Sequence, residues 1–140
     1  MSAIDPAGIA RRLEPLLATA FGPGARVRDF ATMEDGHAGL TFGFAVADAS
    51  GSTLREFVIK LAPFGVARRG NTDVYRQAPL LRALHARGLP VPAVPFAAAD
   101  EALLGTPFII MEKLPGRVFL LWEPHASFSR EPADVAERWR

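Results

Sequence analysis

Between Leu40 and Ala47 the chain alternates with period two, placing Leu40, Phe42, Phe44 and Val46 on one side and Thr41, Gly43, Ala45 and Ala47 on the other. That period is the mark of a strand. One face is bulky and the other nearly bare. Asp48-Ala49-Ser50-Gly51-Ser52 is turn chemistry, and Thr53 to Leu61 alternates again, with Phe57, Ile59 and Leu61 facing one way and Val58 and Lys60 the other. The two runs therefore predict an antiparallel hairpin.

Upstream, Asp5-Pro6 reads as a helix start, with a carboxylate at the N-cap and proline at the first helical position. Ile9, Leu13, Leu16 and Leu17 recur at helical spacing, and Pro15 predicts a kink or a division. After the Gly22-Pro23-Gly24 break, Arg26 to Ala31 predicts a short strand and Met33 to Gly39 a turn-rich loop. Downstream of the hairpin, a second helix is expected from Thr72 or Asp73 to Arg87, stopped by Gly88 and Pro90, with Pro79 kinking it or delaying its start. Val91 to Ala99 reads as a proline-interrupted edge strand and Phe108 to Met111 as a short buried one. Glu131-Pro132 to Arg140 opens a further helix.

Composition narrows the class. The 140 residues are 49% hydrophobic and 22% charged, the makeup of an ordinary globular domain. Sixteen Lys and Arg against fifteen Asp and Glu leave a net charge of +1, and no basic cluster is longer than a pair such as Arg68-Arg69. Nothing tracks a phosphate backbone, so nucleic acid is excluded as the expected partner. The absence of Cys removes disulfides, thiolate metal sites and a Cys nucleophile. No uncharged apolar run approaches the roughly 18 residues that span a bilayer, and the first residues lack the pattern of a signal peptide. A cytoplasmic protein with no membrane partner is the expectation. His37, His85 and His125 lie far apart in sequence, with no spacing that suggests a metal or a nucleophilic triad.

Lys60 is the residue whose placement most invites chemistry. On the small-residue side of its strand, an ammonium has a reason to be there if it meets phosphate oxygens. By alternation alone it reads first as a surface lysine on a half-exposed hairpin. Gly36 to Gly39 could bring backbone N–H groups close to an anion, or could simply turn. Gly43 and Ala45 leave room for a planar base beneath the sheet.

Several segments taken in order resemble the aminoglycoside phosphotransferase family, including its acyl-CoA-dehydrogenase-associated relatives. They are Gly36-His37-Ala38-Gly39-Leu40-Thr41, Val58-Ile59-Lys60, Val74 to Leu84, Leu89-Pro90-Val91-Pro92 and Leu104 to Arg117, and the resemblance runs from about Met33 to Phe119. It implies an α+β fold: a five-stranded antiparallel sheet with a packed helix, as in a protein-kinase N-lobe, here with an added N-terminal helix. Residues 1–24 would be the helical segment, 25–116 the lobe and 117–140 the start of a truncated second lobe. It further implies ATP as cofactor, with Lys60 on the phosphates and the loop Gly36, His37, Ala38 and Gly39 over them. The Glu112 carbonyl and Leu114 N–H would hold the adenine edge, with Met111 against the base. Gln77 stands where the family has the Glu that pairs with the lysine, and a neutral amide gives up that opposite charge. It reads equally as a residue at the core boundary.

The implied reaction is transfer of a phosphoryl group from ATP to the hydroxyl of a small molecule, assisted by Mg²⁺. That chemistry needs a catalytic Asp, a downstream Asn and a metal-holding Asp. Beyond Gly116 the sequence has Asp134 alone, no Asn and no His-x-Asp segment. No catalytic or metal-binding residue is therefore assigned within it, and the acceptor would be held by the absent lobe. The alternative is a non-catalytic module that binds nucleotide or another protein. Phe119, Leu120, Leu121 and Trp122 would be apolar surface through which an isolated lobe could self-associate.

Overall fold

The computed structural model describes residues 5–33 and 40–116. Helix α1 (Pro6–Phe21) leads into strands β1 (Arg26–Thr32), β2 (Leu40–Ala47) and β3 (Thr53–Leu61), followed by helix α2 (Gln77–Ala86), strand β4 (Phe96–Ala98) and strand β5 (Phe108–Glu112). All pairings are antiparallel, in the order β1-β2-β3-β5-β4. Among these residues no helix is long and apolar enough to cross a membrane.

The alternation read from the sequence decides what each face does. Phe42, Phe44 and Val46 of β2, Phe57, Ile59 and Leu61 of β3, and Phe108 and Ile110 of β5 bury together against Ile9, Leu13 and Leu17 of α1. A ring ladder reinforces this side: Phe44 lies 5.8 Å from both Phe30 and Phe57, and Phe57 lies 5.8 Å from Phe21. A smaller cluster occupies the opposite face, where Val74, just before α2, and Ala78, in its first turn, pack with Ala62, Val94 and Ile109. The sheet is thus covered on both sides, by α1 on the bulky face and by α2 on the other.

Four local expectations change in the structure. Helix α1 runs unbroken through Pro15, which is exposed and lies opposite the buried stripe of Ile9, Leu13 and Leu17. Asp5 does occupy the N-cap with extended backbone, but its carboxylate makes no capping bond and instead stands 3.7 Å from Arg11. Helix α2 starts at Gln77 rather than at Thr72 or Asp73, after a short 3-10 turn at Gly70–Thr72. The cause is Pro79: with Gln77 as the first helical residue the proline falls within the first turn, where a missing N–H costs nothing. Finally, only Phe96–Ala98 of the expected Val91–Ala99 segment pairs as a strand, because Pro92 and Pro95 remove two ladder donors. The segments containing Gly36 to Gly39, Phe119 to Trp122 and Glu131 to Arg140 lie outside the described residues.

The β2–β3 turn is held by Asp48, whose carboxylate accepts from Ser50 Oγ at 2.6 Å, Ser50 N–H at 2.8 Å and Ser52 N–H at 3.1 Å. The Ser50 hydroxyl, followed by the backbone donors, holds the carboxyl below its ordinary value of 3.8. At the other end of β3, the buried Thr106 hydroxyl donates to Ala62 C=O at 2.9 Å and Ala62 N–H donates to Pro107 C=O at 2.9 Å. Both ends of the central strand are therefore pinned.

Ile59 is fully buried between Phe42 on one neighbouring strand and Ile110 on the other. Truncation to alanine should cost about 2–5 kcal/mol in urea unfolding. A loss below about 1 kcal/mol would contradict a close-packed seam at this position.

Candidate functional site

Because Phe57, Ile59 and Leu61 point into the α1 core, Val58 and Lys60 must stand on the opposite face. The ladder register then lines up three rows across that face. In the first, Ala31, Gly43, Val58 and Met111 are successive cross-strand partners. In the second, Thr41, Lys60, Ile109 and Ala97 are partners. A third row continues the series with Ala45 opposite Glu56, and Lys113 Nζ reaches Glu56 Oε1 at 3.0 Å. The face therefore carries a small-residue row flanked on one side by a lysine and on the other by an ion pair.

Lys60 is half-buried, and among the described residues its ammonium is in no ion pair and makes no hydrogen bond. A partly desolvated cation favours an anionic partner, and none is found among the described residues. Gln77 is half-buried as the first residue of α2. The helix it opens packs Ala78 against Ile109, the cross-strand partner of Lys60. No hydrogen bond joins Lys60 to Gln77.

A cavity of about 200 Å³ opens over the small-residue row, lined by Ala31, Met33, Gly43, Ala45, Glu56 and Lys113 among others. Met33 lies over Gly43: a Cβ placed on Gly43 would meet only Met33, with Sδ at 3.4 Å and Cγ at 3.6 Å. Met33 is itself 36% exposed. An unbranched thioether is a cover that can swing aside at little cost.

At the end of β5 the strand leaves the sheet beside this cavity. Lys113 N–H donates to Glu56 C=O at 3.2 Å, so the backbone of Glu112 faces the opposite neighbour, where its N–H donates to Ala93 C=O at 2.9 Å. The Glu112 side chain, as partner of Phe57, belongs to the α1 face. Leu114 is exposed, and its N–H has no partner among the described residues. Met111 and Lys60 are thus brought to one face, the Glu112–Leu114 backbone borders it, and Gln77 stands on the helix beside it. Gly36, His37, Ala38 and Gly39 lie outside the described residues.

Met33, Glu56 and Lys113 complete the lining and do not stand out in the sequence. Glu56 shares the parity of Lys60 and could have been found from alternation. Lys113 required the β3–β5 register, since it meets a partner 57 positions away.

The family model for the phosphotransferase enzyme family matches residues 38–138. The chain is 36% identical over 93 residues to a probable acyl-CoA dehydrogenase of Arabidopsis thaliana, covering 65% of this chain and 11% of that protein. It is 28% identical over 118 residues to acyl-CoA dehydrogenase family member 10 of Mus musculus, covering 84% of this chain and 10% of that protein. Among solved structures it resembles a candidate aminoglycoside phosphotransferase from Ralstonia eutropha, with a TM-score of 0.56 at 21% identity over 79% of this chain and 29% of that one. That likeness is one of fold, and it agrees with the kinase-like sheet and helices described above. The chain spans about a tenth of the curated relatives it matches.

Since Gly43 is contacted only by a flexible side chain, Gly43→Ala should fold with an unchanged or slightly raised Tm. A fall of more than about 5 °C in a thermal melt would mean that this face is covered more tightly than by Met33.

Proposed function

The chain belongs to the phosphotransferase enzyme family, and from that membership we propose that residues 25–116 form the ATP-binding lobe of a small-molecule phosphotransferase. The observation that carries this reading is Lys60, a half-buried cation with no acidic partner among the described residues, standing beside a row of small residues next to an exposed backbone edge. Those parts suit the parts of ATP. The adenine would lie along Gly43, Val58 and Met111 after displacing Met33, and its edge would bond the Glu112 carbonyl and the Leu114 N–H. Lys60 would then meet the phosphates as a compact charge one row further along, with the N–H groups of Gly36 to Gly39 closing over them.

The bound nucleotide supplies the phosphoryl group, and the lobe's part is to hold and orient it. The acceptor hydroxyl, the residue that positions it and the ligands for Mg²⁺ would come from a second lobe, of which residues 117–140 would be the beginning and residues 1–24 no part. Among the described residues no group of three or more His, Asp or Glu gathers in a way that could hold a metal ion, so no residue here is given that role. The neutral Gln77, with no hydrogen bond to Lys60, favours a second reading in which the lobe binds nucleotide without serving catalysis.

Lys60→Ala should weaken binding of a non-hydrolysable ATP analogue by about tenfold or more in calorimetry, since it removes charge-assisted bonds to phosphate. Affinity equal to that of the unsubstituted chain would remove Lys60 from the site.

A further inference from the structure

A second cavity opens at the β4 edge of the sheet, between the ends of α1 and α2, and shares only Glu112 with the proposed nucleotide site. It has a volume of about 440 Å³, within the usual range for small-ligand pockets. Its floor is apolar, with buried Phe57 of β3 and half-buried Phe21 at the end of α1, and exposed Ala86 of α2 and Pro95 before β4 stand at its rim. It exists because β4 is only three residues long: beside Glu112 the edge of β5 is bordered by irregular chain, and α1 and α2 approach the gap from opposite faces of the sheet.

Three cationic or polar side chains border this apolar floor. Arg82 is held in place because its Nε donates to Val94 C=O at 2.9 Å, which leaves both terminal nitrogens as donors on a fixed guanidinium. His85, three residues along the same helix, has Nδ1 3.1 Å from Val91 C=O. A carbonyl can only accept, so Nδ1 carries the proton and the ring is fixed as a wall. Arg55 comes from β3. Glu112 supplies one carboxylate, yet among the described residues it forms no ion pair with either arginine. Two guanidiniums against one carboxylate leave one positive charge at the edge of an apolar cavity.

We propose that this cavity is a binding site for an amphipathic monocarboxylate, with an apolar body on Phe21, Phe57, Ala86 and Pro95 and its carboxylate on Arg82, supported by Arg55. A carboxylate matches the planar fork of a guanidinium that is already positioned. A single charge matches the single surplus cation, whereas a dianion would meet Glu112. The apolar body gains the burial that the short edge strand leaves unfilled.

The test uses the 140-residue chain with octanoate as probe and octan-1-ol as its uncharged counterpart, followed by calorimetry. Octanoate should bind at one saturable site with a Kd below about 1 mM. Octan-1-ol should bind at least about tenfold more weakly, as should octanoate to Arg82→Gln. Ala86→Trp, which obstructs the rim without removing a charge, should lower octanoate affinity by a similar factor. If Arg82→Gln lowers the Tm through loss of the Val94 bond, octan-1-ol and Ala86→Trp decide the matter. No saturation by octanoate up to about 10 mM, equal binding of the alcohol, or full affinity in Ala86→Trp would each overturn the proposal. Retained ATP-analogue binding in these variants would leave the nucleotide reading untouched, because neither Arg82 nor Ala86 lines the cavity over Gly43.

Discussion

Burial of Phe57, Ile59 and Leu61 fixes β3 in the sheet, and the rest of the architecture follows from that constraint. Side chains alternate along a strand, so a slip of one residue would carry Lys60 into the α1 core and expose three large apolar groups. The cost of burying an unpaired ammonium, added to the lost apolar burial, makes that register untenable. The Thr106 and Ala62 bonds at one end and the Asp48 turn at the other hold the same register. The position of Lys60 is thus a consequence of packing on the face it does not share.

With register set, the two faces take different fates. Bulk on β2 and β3 closes the α1 side, and on the opposite side α2 and the segment before it cover only the β5 and β4 end, through Ala78 and Val74. The stretch over Gly43 and Ala45 is left to Met33 and a small cavity. The same sheet also ends short at β4, which produces the larger cavity near Glu112, at the sheet edge between the ends of α1 and α2. Adjacent residues of β5 and its exit consequently serve different surfaces: Glu112 lines one cavity and Lys113 the other.

Much of the sheet was legible because its strands obey period two so strictly. Leu40 to Ala47 and Thr53 to Leu61 are read from the sequence with the bounds the structure has, and the sides of Val58 and Lys60 follow from them. Less legible were features set by long-range contact. Pro15 reads locally as a breaker but is tolerated in α1, and the start of α2 was blurred because the apolar pattern does not say where Pro79 falls in the first turn. Met33 and Lys113 take meaning only once β1 and β5 are placed against β2 and β3. The large cavity left no mark in the sequence at all, since it depends on where β4 stops.

The central claim is that the small-residue face of the sheet, and not the α1 face, receives the nucleotide. Amide chemical shifts of the isotope-labelled chain, followed during titration with a non-hydrolysable ATP analogue, test it most directly. The account predicts that shifts concentrate at Gly43, Val58, Lys60, Met111 and Leu114. Shifts centred instead on Phe21, Ala86 and the residues around Pro95, or no shifts at saturating nucleotide, would contradict it.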